Sequence, residues 1–272
     1  MRKAVFTLAA AVLVAAGLAG PSRAANPPAP QTLINLDFSK AADQGMVMLD
    51  GSGSAAFTNG RLELVDGGGS ETGVAFIKTP FQVSDYLASF DFEAKPNPGD
   101  DNPADCLFFI AQTAGLGYYG AGGGAGGYAR TDTSALPDPT TPQGGGFPGY
   151  SYAIEFNSWN DQGLPDDAGG RYTVALDLNS VRSKIGITPC NFFGVGVLHA
   201  DVWVTPAQLT MKLTKPGGTT PFFTFTSPPW LVNYFDAPKP LYFGFTASTG
   251  GAYQIADVLN FKLQSPAPTA GQ

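Results

Sequence analysis

Ser89-Phe90-Asp91-Phe92-Glu93 alternates polar and aromatic residues without a break. Successive side chains of a strand point to opposite faces, so this stretch predicts a strand with one buried face and one wet face. The same grammar continues on both sides. Toward the N-terminus, Leu33–Phe38, Arg61–Val65 and Gly73–Ile77 are short strand-like runs, and the quoted strand extends over Tyr86–Ala94. Toward the C-terminus come Cys106–Gln112, Tyr150–Ser158, Tyr172–Leu178, His199–Val204, Leu209–Leu213, Phe222–Thr226, Leu241–Ala247 and Ile255–Leu263. Turn residues (Gly, Asn, Asp, Pro) separate many of these runs, and no amphipathic helical pattern interrupts them. The expectation is an all-β sandwich or barrel.

Composition agrees. The 272 residues are 43% hydrophobic, 12% aromatic and only 14% charged, which excludes an intrinsically disordered chain and suffices for a large core. The N-terminal stretch stands apart from that core. Arg2 and Lys3 precede the uncharged run Ala4–Gly20, and Ser22-Arg23-Ala24 supplies the small residues of a cleavage site. Residues 1–24 read as a secretory signal peptide cleaved after Ala24, in preference to a membrane anchor, for which the Ala/Gly-rich run is short. Residues 25–33 read as a leader, 34–263 as one domain, and 264–272 as a disordered tail. The expected protein is secreted or periplasmic. Without residues 1–24, twelve basic residues face twenty-two acidic ones, a net charge of −10. Such a surface disfavours nucleic acid and anionic membranes and suits neutral sugars or divalent metals.

Cys106 and Cys190 are the only cysteines. Pairing in an oxidising compartment and separate burial both remain open. The single histidine, His199, reads as structural, and one histidine excludes a multi-histidine metal site. Thr113–Gly149 is irregular: Gly120–Gly127 is glycine-rich, Thr131–Gln143 reads as a flexible insertion without chemistry, and Gly144-Gly145-Gly146 follows. A nucleotide loop is excluded, because no Gly-Lys-Ser/Thr follows the glycines.

Several segments, in order, resemble the L-type (legume-like) lectins, particularly the bacterial members. They are Leu49–Ser54 with Gly60–Leu64, Ala104-Asp105-Cys106-Leu107-Phe108-Phe109-Ile110-Ala111-Gln112, Gly122–Tyr128, Ala153-Ile154-Glu155-Phe156-Asn157-Ser158-Trp159-Asn160-Asp161, Val174–Ser180 with Thr188-Pro189, Phe243–Gly251 and Val258–Phe261. The resemblance spans about Ile34 to Leu263 and implies a concanavalin A-like β-sandwich. Fold alone does not fix function.

What the resemblance implies for a sugar site is specific. Asp105, held through a cis Ala104–Asp105 peptide, takes sugar hydroxyls; the alternative is an Asp in a strand-entry turn after Asn102-Pro103. A backbone N–H comes from Gly124, with Gly145 as the alternative. Gly251 and Ala252 give a fourth contact region. Trp159 offers its ring to the sugar and its carbonyl to calcium, and Asp161 serves both calcium and sugar. Asn157, Trp159, Asp161 and Asp166 (or Asp167) form the implied Ca²⁺ shell, all oxygen donors suited to that ion. The family's transition-metal histidine falls at Thr173, so no transition metal is expected.

On a straight strand Glu155, Asn157, Trp159 and Asp161 would share a face, with Glu155 and Asp161 about 20 Å apart. That is too far for the paired carboxyls of a glycoside hydrolase, which stand about 5–10 Å apart. The expectation is a non-catalytic carbohydrate-binding protein whose partners are glycans or glycoconjugates, without membrane insertion, and with a homodimer as the assembly to test. The alternatives are a structural or adhesion module and, behind it, a hydrolase of the same fold.

Overall fold

The computed structural model describes residues 30–99, 103–130, 143–159, 172–236 and 240–265. The first nine strands are β1 (Gln31–Asp37), β2 (Val47–Gly51), β3 (Ala56–Thr58), β4 (Arg61–Asp66), β5 (Thr72–Ile77), β6 (Tyr86–Pro96), β7 (Cys106–Gln112), β8 (Tyr119–Gly120) and β9 (Gln143–Gly144). The second nine are β10 (Ser151–Asn157), β11 (Thr173–Leu178), β12 (Val181–Pro189), β13 (Leu198–Thr205), β14 (Gln208–Thr214), β15 (Phe223–Thr226), β16 (Tyr242–Ser248), β17 (Gln254–Val258) and β18 (Asn260–Ser265). Among the described residues the only α-helix is the four-residue turn Ala41–Gln44.

Two large antiparallel sheets result. A seven-stranded sheet runs β12-β11-β10-β7-β16-β5-β2, and a nine-stranded sheet runs β15-β14-β13-β6-β17-β4-β3, with β18 paired to β6 and β1 to β18. The alternation at 89–93 holds as read. Phe90 and Phe92 are fully buried between the sheets, while Ser89, Asp91 and Glu93 stay partly exposed. Phe90 meets Phe109 at 5.1 Å and Phe245 at 5.0 Å, and Phe92 meets Phe156 at 4.6 Å, all across the inter-sheet space. Aromatic edge and offset contacts of this kind add to their area burial.

The sheets reach further than the sequence boundaries. Gln31 pairs with Ser265 and Thr32 with Gln264, so part of the expected leader and tail belongs to the sandwich. The expected final strand Ile255–Leu263 is two strands broken at Leu259, whose N–H bonds to Asp91 O at 2.8 Å. Residues 1–29 and 131–142 lie outside the described residues, and with them the cleavage site and nearly all of the expected flexible insertion.

The centre of the seven-stranded sheet is buried on both faces: every residue of β7 and of β10 is buried. The cause is a second, smaller core. Val74, Phe76, Cys106, Phe108, Ile110 and Ala153 pack on the outer face beneath Tyr128, Ala129 and Phe147. The glycine-rich region is therefore a roof over the sheet, pinned by Tyr128, whose ring stacks on Phe108 at 5.6 Å and whose hydroxyl accepts the Ser180 N–H at 3.1 Å. Cys106 sits in this outer core and Cys190 in the inter-sheet core. The two thiols lie on opposite sides of one sheet and are not joined to each other. Burial pushes the Cys190 thiol up to about 12.

Candidate functional site

Asp105 enters the central strand β7 between β10 and β16. The Ala104–Asp105 peptide is cis. Its backbone is fixed from both neighbours: Asp105 N donates to Ser248 O at 2.9 Å, and Asp105 O accepts from Ser158 N at 3.0 Å and Trp159 N at 3.2 Å. The residue is 7% exposed, its carboxylate just beneath the end of the sheet. Two glycines press against it. A Cβ added to Gly250 would lie 3.2 Å from Asp105 Oδ2, and one on Gly123 would lie 3.9 Å from it. Larger residues there would close over the carboxylate, so the glycines keep it approachable.

Gly123 begins the turn that holds Gly124. The turn folds back on itself through Gly126 N to Gly123 O (2.9 Å) and Gly127 N to Ala121 O (2.7 Å), with Gly126 and Gly127 at φ of 69° and 73°. L-residues adopt that region only at a cost, which explains why this segment is glycine. The sheet grips it from below: Ser248 Oγ donates to Gly123 O at 2.5 Å and Thr246 Oγ1 to Gly126 O at 2.7 Å. The alternative, Gly145, bridges to Gly120 instead, next to the parallel pair β8–β9. Of the two glycine clusters, the one with Gly124 adjoins Asp105. Gly251 is exposed with open space around it, and Ala252 O accepts the Gly250 N–H at 3.2 Å, so both belong to the loop that flanks Asp105 on its other side.

The expectation that Glu155, Asn157, Trp159 and Asp161 share one strand face fails at Asn157. Strand β10 stops there, because Asn157 Oδ1 accepts the Trp159 N–H at 3.0 Å and bends the chain, while Ser158 and Trp159 turn their N–H groups to Asp105 O. Asn157 is buried opposite Cys106 and Thr173, and Trp159 is half-buried beside Asp105. Asp161, Asp166 and Asp167 lie outside the described residues. Among the described residues no group of three or more His, Cys, Asp or Glu side chains converges as a metal site. The donors that are described, the Asn157 side-chain oxygen and the Trp159 carbonyl, are hard oxygens and fit calcium in kind.

Sequence reasoning missed a buried ionic cluster two residues before Asn157. Glu155 and Asp177 project from β10 and β11 onto the outer face as diagonal neighbours, both fully buried. Burial, and next the Glu155 charge, push the Asp177 carboxyl well above the usual range. Arg182 pairs with Glu155 through Nη2 and donates to Gly124 O through Nη1. Asp177 Oδ1 also accepts the Lys184 N–H at 2.7 Å. A two-residue turn at Asn179 and Ser180, both at positive φ, folds β12 back and brings Arg182 over the cluster. An acid inside the apolar run Thr173–Leu178 was the available signal, since buried carboxyls need partners.

His199 is structural, on the partly wet face of the nine-stranded sheet. Its Nδ1 lies 2.6 Å from Asp91 Oδ1 and its Nε2 3.2 Å from Asp201 Oδ1. Those bonds, to Asp201 first and then Asp91, raise its pKa to about 10.

No family model matches the chain. A lectin of Lathyrus sphaericus is 27% identical over 141 residues, 49% of this chain. The chain spans about half the length of that curated relative (52%). Among solved structures, a lectin from Bauhinia forficata in complex with GalNAc superposes with a TM-score of 0.63 at 20% identity, covering 86% of this chain and 98% of that one. The basic winged bean lectin with Tn-antigen gives 0.64 at 22%, covering 87% and 98%. The exoplasmic/lumenal domain of VIP36 in its Ca²⁺/Man-bound form gives 0.57 at 13%, covering 84% and 88%. Two antiparallel sheets around an aromatic core make the chain a concanavalin A-like β-sandwich, similar in structure to the legume lectins and, over about half its length, in sequence to one of them.

Proposed function

We propose that this is a carbohydrate-binding, lectin-like protein whose sugar site lies at the end of the seven-stranded sheet around Asp105. The observation that carries the reading is the recessed Asp105 carboxylate, with its backbone pinned to β10 and β16 and two glycine loops at its sides. A fixed carboxylate in a partly dry recess accepts sugar hydroxyls strongly. Gly124, Gly251 and Ala252 offer backbone groups, and Trp159 offers a half-buried ring. Structurally similar lectins are seen in complex with GalNAc, with Tn-antigen and in a Ca²⁺/Man-bound form, which supports the substrate class without choosing a sugar.

In this reading one Ca²⁺ is held by Asn157, the Trp159 carbonyl, Asp161 and Asp166. When bound it supplies order to the loop rather than chemistry. Catalysis is disfavoured on this chain's own geometry: Glu155 and Asp177, adjacent acids on neighbouring strands, are fully buried, and Arg182 bridges Glu155 to the Gly124 carbonyl above, which leaves no room for a glycosidic bond between them. Export after cleavage at Ala24 belongs to the same proposal. A glycan-array screen, with and without calcium, tests it. Saturable binding of defined glycans supports the reading; a blank array in both buffers favours a structural or adhesion module; turnover of a glycan would make it a hydrolase.

A further inference from the structure

The turn Gly122–Gly127 has one side chain beyond hydrogen, the methyl of Ala125. It cannot hold the sheet by its own side chains, so its position is set from beneath. Three sheet residues take its carbonyls: Ser248 at Gly123, Thr246 at Gly126 and Arg182 at Gly124. The first two are neutral hydroxyls on β16, next to β7. Arg182 is different in kind. It reaches in from the edge strand β12, and its second nitrogen is committed to Glu155, which is fully buried. A guanidinium is a rigid planar fork, so fixing one prong fixes the direction of the other. Both contacts are charge-assisted, the stronger class of hydrogen bond.

Building on the sugar-site reading above, we propose that Arg182 is a positioning residue for that site: clamped by Glu155, it sets the Gly124 peptide, and through it the backbone groups presented beside Asp105. Arg182 itself does not touch the sugar in this account. Its effect is confined to one peptide, because Ser248 and Thr246 keep hold of the turn on either side. Without the fork the turn stays attached at Gly123 and Gly126, while the peptide between them gains rotational freedom. A glycine peptide has the most freedom to gain.

Arg182→Gln alone leaves a buried Glu155 without its cation and is expected to lower the melting temperature, which would confuse the result. The informative variant is the neutral double, Glu155→Gln/Arg182→Gln, beside Arg182→Lys, which keeps the charge and loses the fork. Three quantities are read on the full chain: melting temperature, amide hydrogen exchange of the 120–128 segment, and affinity for the best array glycan. The expected result for the double variant is a near wild-type melt, at least tenfold faster exchange confined to 122–127, and at least tenfold weaker binding. Arg182→Lys should fall between it and wild type in exchange and affinity. Unchanged exchange in 122–127, or affinity restored together with the melt in the double variant, would overturn the proposal and leave a plain structural ion pair. Faster exchange in a protein whose wild type binds no glycan would instead overturn the sugar-site reading and leave the loop anchor standing.

Discussion

Replacing Gly126 by Ala adds one methyl group at the place where the loop, the outer core and the candidate site meet. The ideal Cβ would fall 1.9 Å from Phe108 Cε2 and 2.8 Å from Cys106 Sγ. Neither neighbour can step aside cheaply, since Phe108 is fully buried and stacked on Tyr128. The residue also sits at φ +69°, where a Cβ costs roughly 1–2 kcal/mol. Overpacking a tight core adds about 1–3 kcal/mol. The sum, about 2–5 kcal/mol, corresponds to a melting-temperature loss of roughly 4–20 °C for a domain of this size. Because the turn must shift away from β7, glycan affinity should fall as well. Thermal melts followed by circular dichroism, with Gly251→Ala as the control, provide the assay. Gly251 has nothing within 4 Å of an added Cβ, so its variant should melt with the wild type. A Gly126→Ala protein that melts within a degree of wild type would refute the packing argument.

Three further outcomes follow from other parts of the molecule. His199 has its folded pKa raised to about 10 against 6.5 for the free side chain, so its contribution is fully present below about pH 6.5 and is lost as pH rises through about 10; the melting difference between wild type and His199→Gln should therefore be largest near pH 6 and shrink toward pH 10.5. Phe90→Ala removes a fully buried ring that touches both sheets and should cost about 3–5 kcal/mol, read as a shift in the denaturant midpoint. If calcium binds with a dissociation constant near 10⁻⁴ M, millimolar calcium should add about 1.4 kcal/mol, a rise of roughly 3–6 °C over EDTA that Asp161→Ala abolishes; identical melts in both buffers would show that the loop is organised without metal.

The parts of this fold legible in the sequence are those whose burial is one-sided or complete. Residues 89–93 announce a strand because their wet and buried faces alternate, and Cys106–Gln112 because a seven-residue run with no charged residue must lie in a centre. Strand β12 was hidden: it is an edge strand, half-exposed along its length, carrying Arg182, Lys184 and Gly186. Strands β2 and β3 are short and separated by Gly- and Ser-rich turns, so no run of alternation marks them, and only the resemblance of Leu49–Ser54 with Gly60–Leu64 points to strands there. At the candidate site, resemblance names Asp105, Gly124, Trp159 and Gly251 from their linear order alone. The Glu155–Asp177–Arg182 cluster could not, because it depends on a hairpin and a sheet register that bring residues 27 positions apart into contact. For the same reason a straight-strand estimate carried Trp159 onto the face of Glu155, when a single side-chain bond from Asn157 ends the strand first.

The central claim is that Asp105 receives the sugar, and Asp105→Asn tests it most directly. The backbone bonds that fix residue 105, to Ser248, Ser158 and Trp159, do not involve the carboxylate, so the fold should survive the change. Loss of two charge-assisted bonds to hydroxyls should remove about 3 kcal/mol or more of binding. Titration calorimetry of wild type and variant with the best array glycan, beside their melts, is the measurement. The expected result is an affinity loss of about a hundredfold or greater with a melting temperature near that of the wild type. Binding of wild-type strength by Asp105→Asn would contradict it.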